Sequence, residues 1–143
     1  MSKCALAIDY GGKRTGLAIC DALGIAAQPL PAIVSRDVIE VATKSITTAR
    51  ERGAKVFVVG MPFMPDGSEG QQAAKTRLFL AELKKHMRDD ERIVEIDERY
   101  TSKEAHTLLR EGGMTSAKKR KALVDSTAAV VILREWLVTG DRA

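Results

Sequence analysis

The run KVFVVG at 55–60 restricts the fold more than any other segment of this chain. It is short, almost continuously aliphatic, and flanked by glycine. A strand that is apolar on both faces needs a covering layer on each side, as parallel strands between helices have. CALAID at 4–9 and RIVEID at 92–97 are further strand-like runs, each ending on an acid. GGK at 11–13 reads as a turn and GLAIC at 16–20 as a returning strand, so the chain opens with a β-hairpin. A third strand is expected within 29–34, after a loop containing Gly24 and Pro29. Helical patterning covers 37–53, opened by Asp37 and closed by Gly53, and resumes after the Pro/Gly-rich loop 61–70 as far as about Met87. A short helix over roughly 102–111 is broken by GGM, and a last helix runs from about Ala117 to Val138. The order βββαβαβαα predicts an α/β fold: a mixed, largely parallel five-stranded sheet with helices on both faces. Ligands of such sheets gather at the carboxyl ends of the parallel strands.

A chain of 143 residues with 45% apolar content is expected to form one domain, over 1–143. Aromatics make up only 4%, so the core has to be built from aliphatic residues and alanine. The apolar stretches fall short of a membrane span and no secretory leader is apparent, so a cytoplasmic protein with no membrane partner is expected. The net charge of +4 favours a polyanionic partner only weakly. Its pattern says more: basic residues gather at Lys13 and Arg14, in KKRK at 118–121, and singly at Arg99 and Lys103. A solvated helix start is the competing reading of KKRK. Cys4 and Cys20 fit neither a zinc spacing nor a disulfide framework and read as two small buried thiols.

Three acids stand where a covered core should be apolar, or at its edge: Asp9, Glu98 and Asp125. A carboxylate there is costly unless something pairs it. Period-two alternation places Asp9 with Ala5 and Ala7, on a face that another element can approach closely. Ala128 and Ala129 follow Asp125 by three and four residues, so the last helix offers a matching small surface and would deliver Asp125 towards Asp9. At the end of RIVEID, Glu98 alternates with Val94 and Ile96, whereas Asp97 shares a face with Glu95 and is held in reserve. The competing readings are a turn-capping Asp9 before Gly11 and Gly12, a capping Asp97, and an Asp125 paired with Lys121 four residues earlier. His86 and His106 lack partners at metal-binding spacing, and no Ser/His/Asp or Cys/His set points to a covalent mechanism. Tyr10 and Tyr100 beside the acids are more readily explained by packing than by base stacking.

With these positions in hand, the chain resembles the YqgF/RuvX family, candidate pre-16S rRNA nucleases of the RNase H-like superfamily. The resemblance spans nearly the whole chain: IDYGGKRTGLA at 8–18, AQPLPAI at 27–33, VVGMPFMPDGSEG at 58–70, DERYTS at 97–102 and KKRKALVDSTAAVVIL at 118–133. It implies an RNase H-like sheet and an acidic triad that maps onto Asp9, Glu98 and Asp125. Two departures stand out. Gly12 occupies a position where the family usually has Thr, and Met64 and Pro65 replace the Asn-containing middle of a family loop.

The expected chemistry is phosphodiester hydrolysis with two Mg²⁺ or Mn²⁺ ions held by the three acids, roughly 3.5–4 Å apart as in two-metal hydrolases. Lys13, Arg14, Arg99, Lys118 and Lys121 are the candidate phosphate contacts, which would position a backbone without reading bases. The expected substrate is pre-16S rRNA, cut in 5′-end processing. The alternatives are a resolvase-like nuclease acting on structured or branched DNA and a nucleic-acid-binding regulator without hydrolytic activity. An actin-like ATP-binding reading of DYGGKRTG is disfavoured, since such proteins need two domains of this kind. Monomer and homodimer both remain open, although resolution of a branched junction would need two sites related by two-fold symmetry.

Overall fold

The computed structural model describes residues 4–100 and 117–140, with side chains over 4–99 and 126–140. Five strands form one sheet: β1 (Ala5–Asp9), β2 (Arg14–Cys20), β3 (Ala27–Val34), β4 (Val56–Met61) and β5 (Arg92–Asp97). Three helices are described: α1 (Val38–Glu51), α2 (Gln71–His86) and α3 (Ala117–Thr139). The helix expected over 102–111, with Lys103 and His106, lies outside the described residues. Elsewhere the expected elements are found in order, β2 starting two residues earlier and β3 extending back to Ala27.

The sheet order is β3-β2-β1-β4-β5. β1 to β3 run as an antiparallel meander, while β4 lies parallel to both β1 and β5. The expected mixed five-stranded sheet is therefore present, with two parallel and two antiparallel ladders, and its two faces carry different layers. Leu6, Ile8, Leu17, Ile19, Phe57 and Val59 meet α1 and α2 through Val41, Ile46, Phe79 and Leu83. Ala5, Ala7, Ala18, Val58, Val94 and Ile96 meet α3 through Ala129, Ile132, Leu133 and Trp136. KVFVVG serves both layers at once, which explains its unbroken apolar character.

The difference in side-chain size between the faces has a packing consequence. The small residues of β1 and β2 let α3 lie close over the centre of the sheet, as the alanine alternation in CALAID predicts. Helix α1 buries Val41, Ala42, Ser45, Ile46 and Ala49, a single stripe at helical spacing, and its first turn is capped by Asp37, which accepts from the Ile39 amide. β3 is an edge strand, so the missing amides of Pro29 and Pro31 disturb only one ladder. Cys4 and Cys20 are buried thiols that contribute to opposite layers of the sheet. Among the described residues no helix is long and apolar enough to cross a membrane.

Candidate active site

Asp9 closes β1 and Glu98 opens the single 3-10 turn (Glu98–Tyr100) that follows β5. Both lie at carboxyl ends of strands parallel to β4. Those strands are not neighbours, because β4 runs between them. Two strand spacings separate them by about 9–10 Å, yet the two carboxyl groups are hydrogen-bonded to each other. The long Glu98 side chain closes most of that gap by crossing β4 at Gly60.

Gly60 makes the crossing possible. A Cβ at this position would fall 2.5 Å from the Glu98 carboxyl carbon and 2.5 Å from Ile132 Cδ1 of α3. Both distances are far inside van der Waals contact, so only glycine leaves room for the carboxylate between sheet and helix. Glycine ending a buried strand run was a readable signal of close backbone approach, and sequence reasoning did not use it.

The electrostatics of the pair are those of two buried acids in contact. Burial pushes Asp9 up from the usual carboxylate range, partly offset by the hydrogen bond with Glu98. Glu98 is pushed up to about 9, first by burial, then by the charge of Asp9, their shared hydrogen bond and the charge of Asp97. Burial and the proximity of the two groups thus make full ionisation of the pair costly.

Asp97 behaves differently, as its alternation with Glu95 suggested. It accepts hydrogen bonds from the Arg99 amide (3.0 Å) and guanidinium, and the Arg99 Nη2 to Asp97 Oδ2 distance is 2.6 Å. These contacts hold Asp97 below the usual carboxylate range and pin the turn that carries Glu98. Arg99 therefore spends much of its charge on Asp97. Its Nη1 also lies 3.2 Å from where a Cβ of Gly67 would stand, so it abuts the 61–70 loop. That loop is closed on itself: Met64 and Ser68 pair through their backbone (2.8 Å), and Asp66 accepts from the Ser68 amide and hydroxyl. The Met64–Pro65 departure thus leaves a well-connected loop.

The hairpin turn after Asp9 presents Lys13 to solvent, with Arg14 partly buried where β2 begins. Gly12 has φ +76°, a conformation that strains a β-branched residue such as Thr, so glycine suits this turn as built. Tyr10 is buried and stacks on Phe79 with ring centroids 4.6 Å apart, and its carbonyl accepts from Gln72. It is a packing residue that fastens the turn to α2. His86 sits at the surface beside Glu82 on α2.

Asp125, Lys118 and Lys121 fall within α3, and their side chains lie outside those described. Among the described residues no group of three potential metal ligands occurs, and the set stops at Asp9 and Glu98. The residue after Asp125 is described. Ser126 is fully buried, receives a hydrogen bond from the Leu17 amide (3.2 Å) and donates one to the Leu30 carbonyl (2.6 Å). No local pattern in the sequence sets this serine apart from an ordinary small helical residue.

A carboxyl pair bridging parallel strands over a glycine, beneath a helix packed on alanines, is an arrangement suited to a nuclease. The fold agrees: RuvC of Thermus thermophilus superposes with a TM-score of 0.65, covering 96% of both chains at 14% identity. Residues 3–139 match the family described as "RuvX: Holliday junction resolvase", and the chain belongs to this nuclease family. Relatives named as candidate pre-16S rRNA nucleases include one from Synechococcus elongatus, 39% identical over 93% of this chain and 87% of its own length. Another, from Acetivibrio thermocellus, is 41% identical over 92% of this chain and 93% of its own.

Proposed function

We propose that this chain is a metal-dependent nuclease that hydrolyses phosphodiester bonds in 5′-end processing of pre-16S rRNA. The observation that carries the reading is the buried Asp9–Glu98 pair, two hydrogen-bonded carboxyl groups brought together at the carboxyl ends of parallel strands across Gly60. An all-oxygen, acid-rich donor set suits a hard divalent cation such as Mg²⁺ or Mn²⁺. Asp9, Glu98 and Asp125 would hold two such ions, and these would supply an activated water and stabilise the leaving oxygen.

The residues of the chain have separate tasks in this reading. Asp9 and Glu98 would both be ionised in holding a cation, whose charge would offset the cost of burying them. Gly60 keeps the space between them free of side chain. Asp97 and Arg99 fix the turn bearing Glu98. Lys13 and Arg14, beside Asp9, together with Lys118 and Lys121 of α3, would contact flanking phosphates, and whatever charge Arg99 retains would add to them. Binding should then weaken steeply with salt.

The pre-rRNA substrate is supported by the names of the relatives. A resolvase-like action on branched DNA is the second reading, favoured by the family description and by the likeness to RuvC. The decisive experiment is cleavage of a 5′-extended 16S rRNA precursor with Mg²⁺ or Mn²⁺, comparing wild type with Asp9→Asn. Metal-dependent cutting that disappears in the variant is the expected result. Cutting of a four-way DNA junction but not of the precursor would move the substrate to DNA. Salt-sensitive binding of either, with no cutting at any metal concentration, would instead indicate a non-catalytic regulator.

A further inference from the structure

The β2–β3 ladder is interrupted where Ser126 of α3 meets the sheet. Thr15 pairs with Ile33 and Leu17 with Leu30, so β3 carries an extra residue between these pairs. Pro31 falls within that interval and has no amide to donate. The hydroxyl of Ser126 occupies the interruption: the Leu17 amide donates to it and it donates to the Leu30 carbonyl. One side chain of α3 thereby joins two strands at a point buried from water. Alanine would serve the helix at least as well, so the hydroxyl is there for the strands.

The position of this clasp matters more than its strength. Leu17 is the register partner of Ile8, and Gly16 is that of Asp9, so Ser126 is anchored one residue pair from Asp9. Six residues later, about 9 Å along the helix, Ile132 rests against Gly60 beside Glu98. Helix α3 is therefore registered at two points, one near each member of the carboxyl pair. We propose that Ser126 is a positioning residue: its clasp on the β2–β3 bulge sets the adjoining Asp125 at the height where it completes the metal site with Asp9 and Glu98. This rests on Asp125 being the third ligand, as proposed above.

The test compares Ser126→Ala, Ser126→Thr and Asp125→Asn by Mn²⁺ titration calorimetry and by cleavage as a function of Mn²⁺ concentration. Groups bonded directly to a metal ligand set metal affinity by about 10–100-fold; Ser126 would act through the helix backbone instead, so the lower end of that range is expected. Ser126→Ala should therefore need about tenfold more Mn²⁺ for half-maximal cleavage, with most of kcat recovered at saturation. Ser126→Thr, which keeps the hydroxyl, should restore the wild-type requirement. An unchanged Mn²⁺ requirement in Ser126→Ala overturns the proposal, as does a loss of kcat at every Mn²⁺ concentration with unchanged half-saturation. Should the alanine variant fail to fold, Ser126→Cys replaces it, and a wild-type Mn²⁺ requirement there is equally fatal. Asp125→Asn separates the two ideas. If it binds Mn²⁺ like wild type, the ligand reading itself fails, whereas lost binding there beside normal binding in Ser126→Ala rejects only the positioning role.

Discussion

Strand β5 has a buried or partly buried glutamate at each end, and the two have opposite chemistry. Glu91, just before the strand, accepts from Arg50 Nε (3.1 Å), Arg50 Nη2 (2.9 Å) and the Arg88 amide (2.7 Å). These donors, led by the Arg50 guanidinium, hold it below the usual carboxylate range despite burial. Glu98, just after the strand, faces Asp9 and Asp97 and is pushed up to about 9. Identical side chains at the two ends of one strand thus meet opposite surroundings. A carboxylate with matched donors contributes to stability, whereas one crowded by other acids is costly to ionise and marks a candidate site.

The sharpest way to break this comparison is to neutralise the site member. Glu98→Gln should lower the cleavage rate by at least about a thousandfold, on the order of 4 kcal/mol of transition-state stabilisation. The same change removes like-charge repulsion, so the melting temperature of the metal-free protein should stay level or rise. Thermal unfolding in EDTA, set beside single-turnover cleavage, checks both halves. A marked fall in the metal-free melting temperature would make Glu98 a scaffold residue like Glu91. Asp9→Asn should behave in the same way.

The scaffold member should give the mirror image. Glu91→Ala leaves the Arg88 amide and the Arg50 guanidinium without their partner. Removing half of a buried pair costs about 3–5 kcal/mol; the Arg50 side chain is 31% exposed, so water recovers part of that and about 2 kcal/mol is expected. Urea denaturation should register the loss, while cleavage by the folded fraction should remain at the wild-type rate.

Gly60→Ala tests how the site member is seated. The added methyl collides with the Glu98 carboxyl and with Ile132, and overpacking of this kind costs about 1–3 kcal/mol. Because the flexible carboxyl is easier to displace than α3, metal affinity should fall together with stability. A variant with a lower melting temperature and intact Mn²⁺ binding would show that the helix gives way instead.

These contrasts were unequally legible in the sequence. The strands, and the face that Glu98 shares with Val94 and Ile96, follow from alternation, and the helices over 37–53 and 117–138 from helical patterning and their end signals; both are local and survive folding. Glu95, exposed and paired with Arg77, lies on the other face as that alternation requires. Glu91 gave no comparable signal, because its partner Arg50 is 41 residues away and only the packing of α1 against α2 brings them together. Ser126 was unreadable for a related reason: its meaning depends on a bulge in strands about a hundred residues earlier. Gly60 was readable in principle, as a glycine at the end of a doubly covered strand. The cysteine hairpin shows the limit from the other side, since closeness in sequence order left open that the two thiols serve opposite layers of the sheet.

The smallest expected effect, and the one that joins both glutamates in one measurement, is the pH dependence of metal-free stability. Glu98 has a raised folded-state value, so between its ordinary value of 4.5 and about 9 the folded protein holds a proton that the unfolded chain has lost. Its contribution is fully present below pH 4.5 and fades as pH rises through that window, with a slope of at most about 1.4 kcal/mol per pH unit. Glu91 runs the other way: its folded-state value is lowered, so its contribution is present above 4.5 and is lost as the solution becomes more acidic. Denaturation in EDTA from pH 3 to pH 9 should therefore show stability rising to a maximum on the acidic side of neutrality and then declining. Glu98→Gln should flatten the decline above the maximum, and Glu91→Gln should flatten the rise below it. Saturating Mg²⁺ should act on the wild type as Glu98→Gln does, because a bound cation removes the reason for keeping the proton. If the decline persists unchanged in Glu98→Gln, its origin lies elsewhere and the two ends of β5 are not the opposites described here.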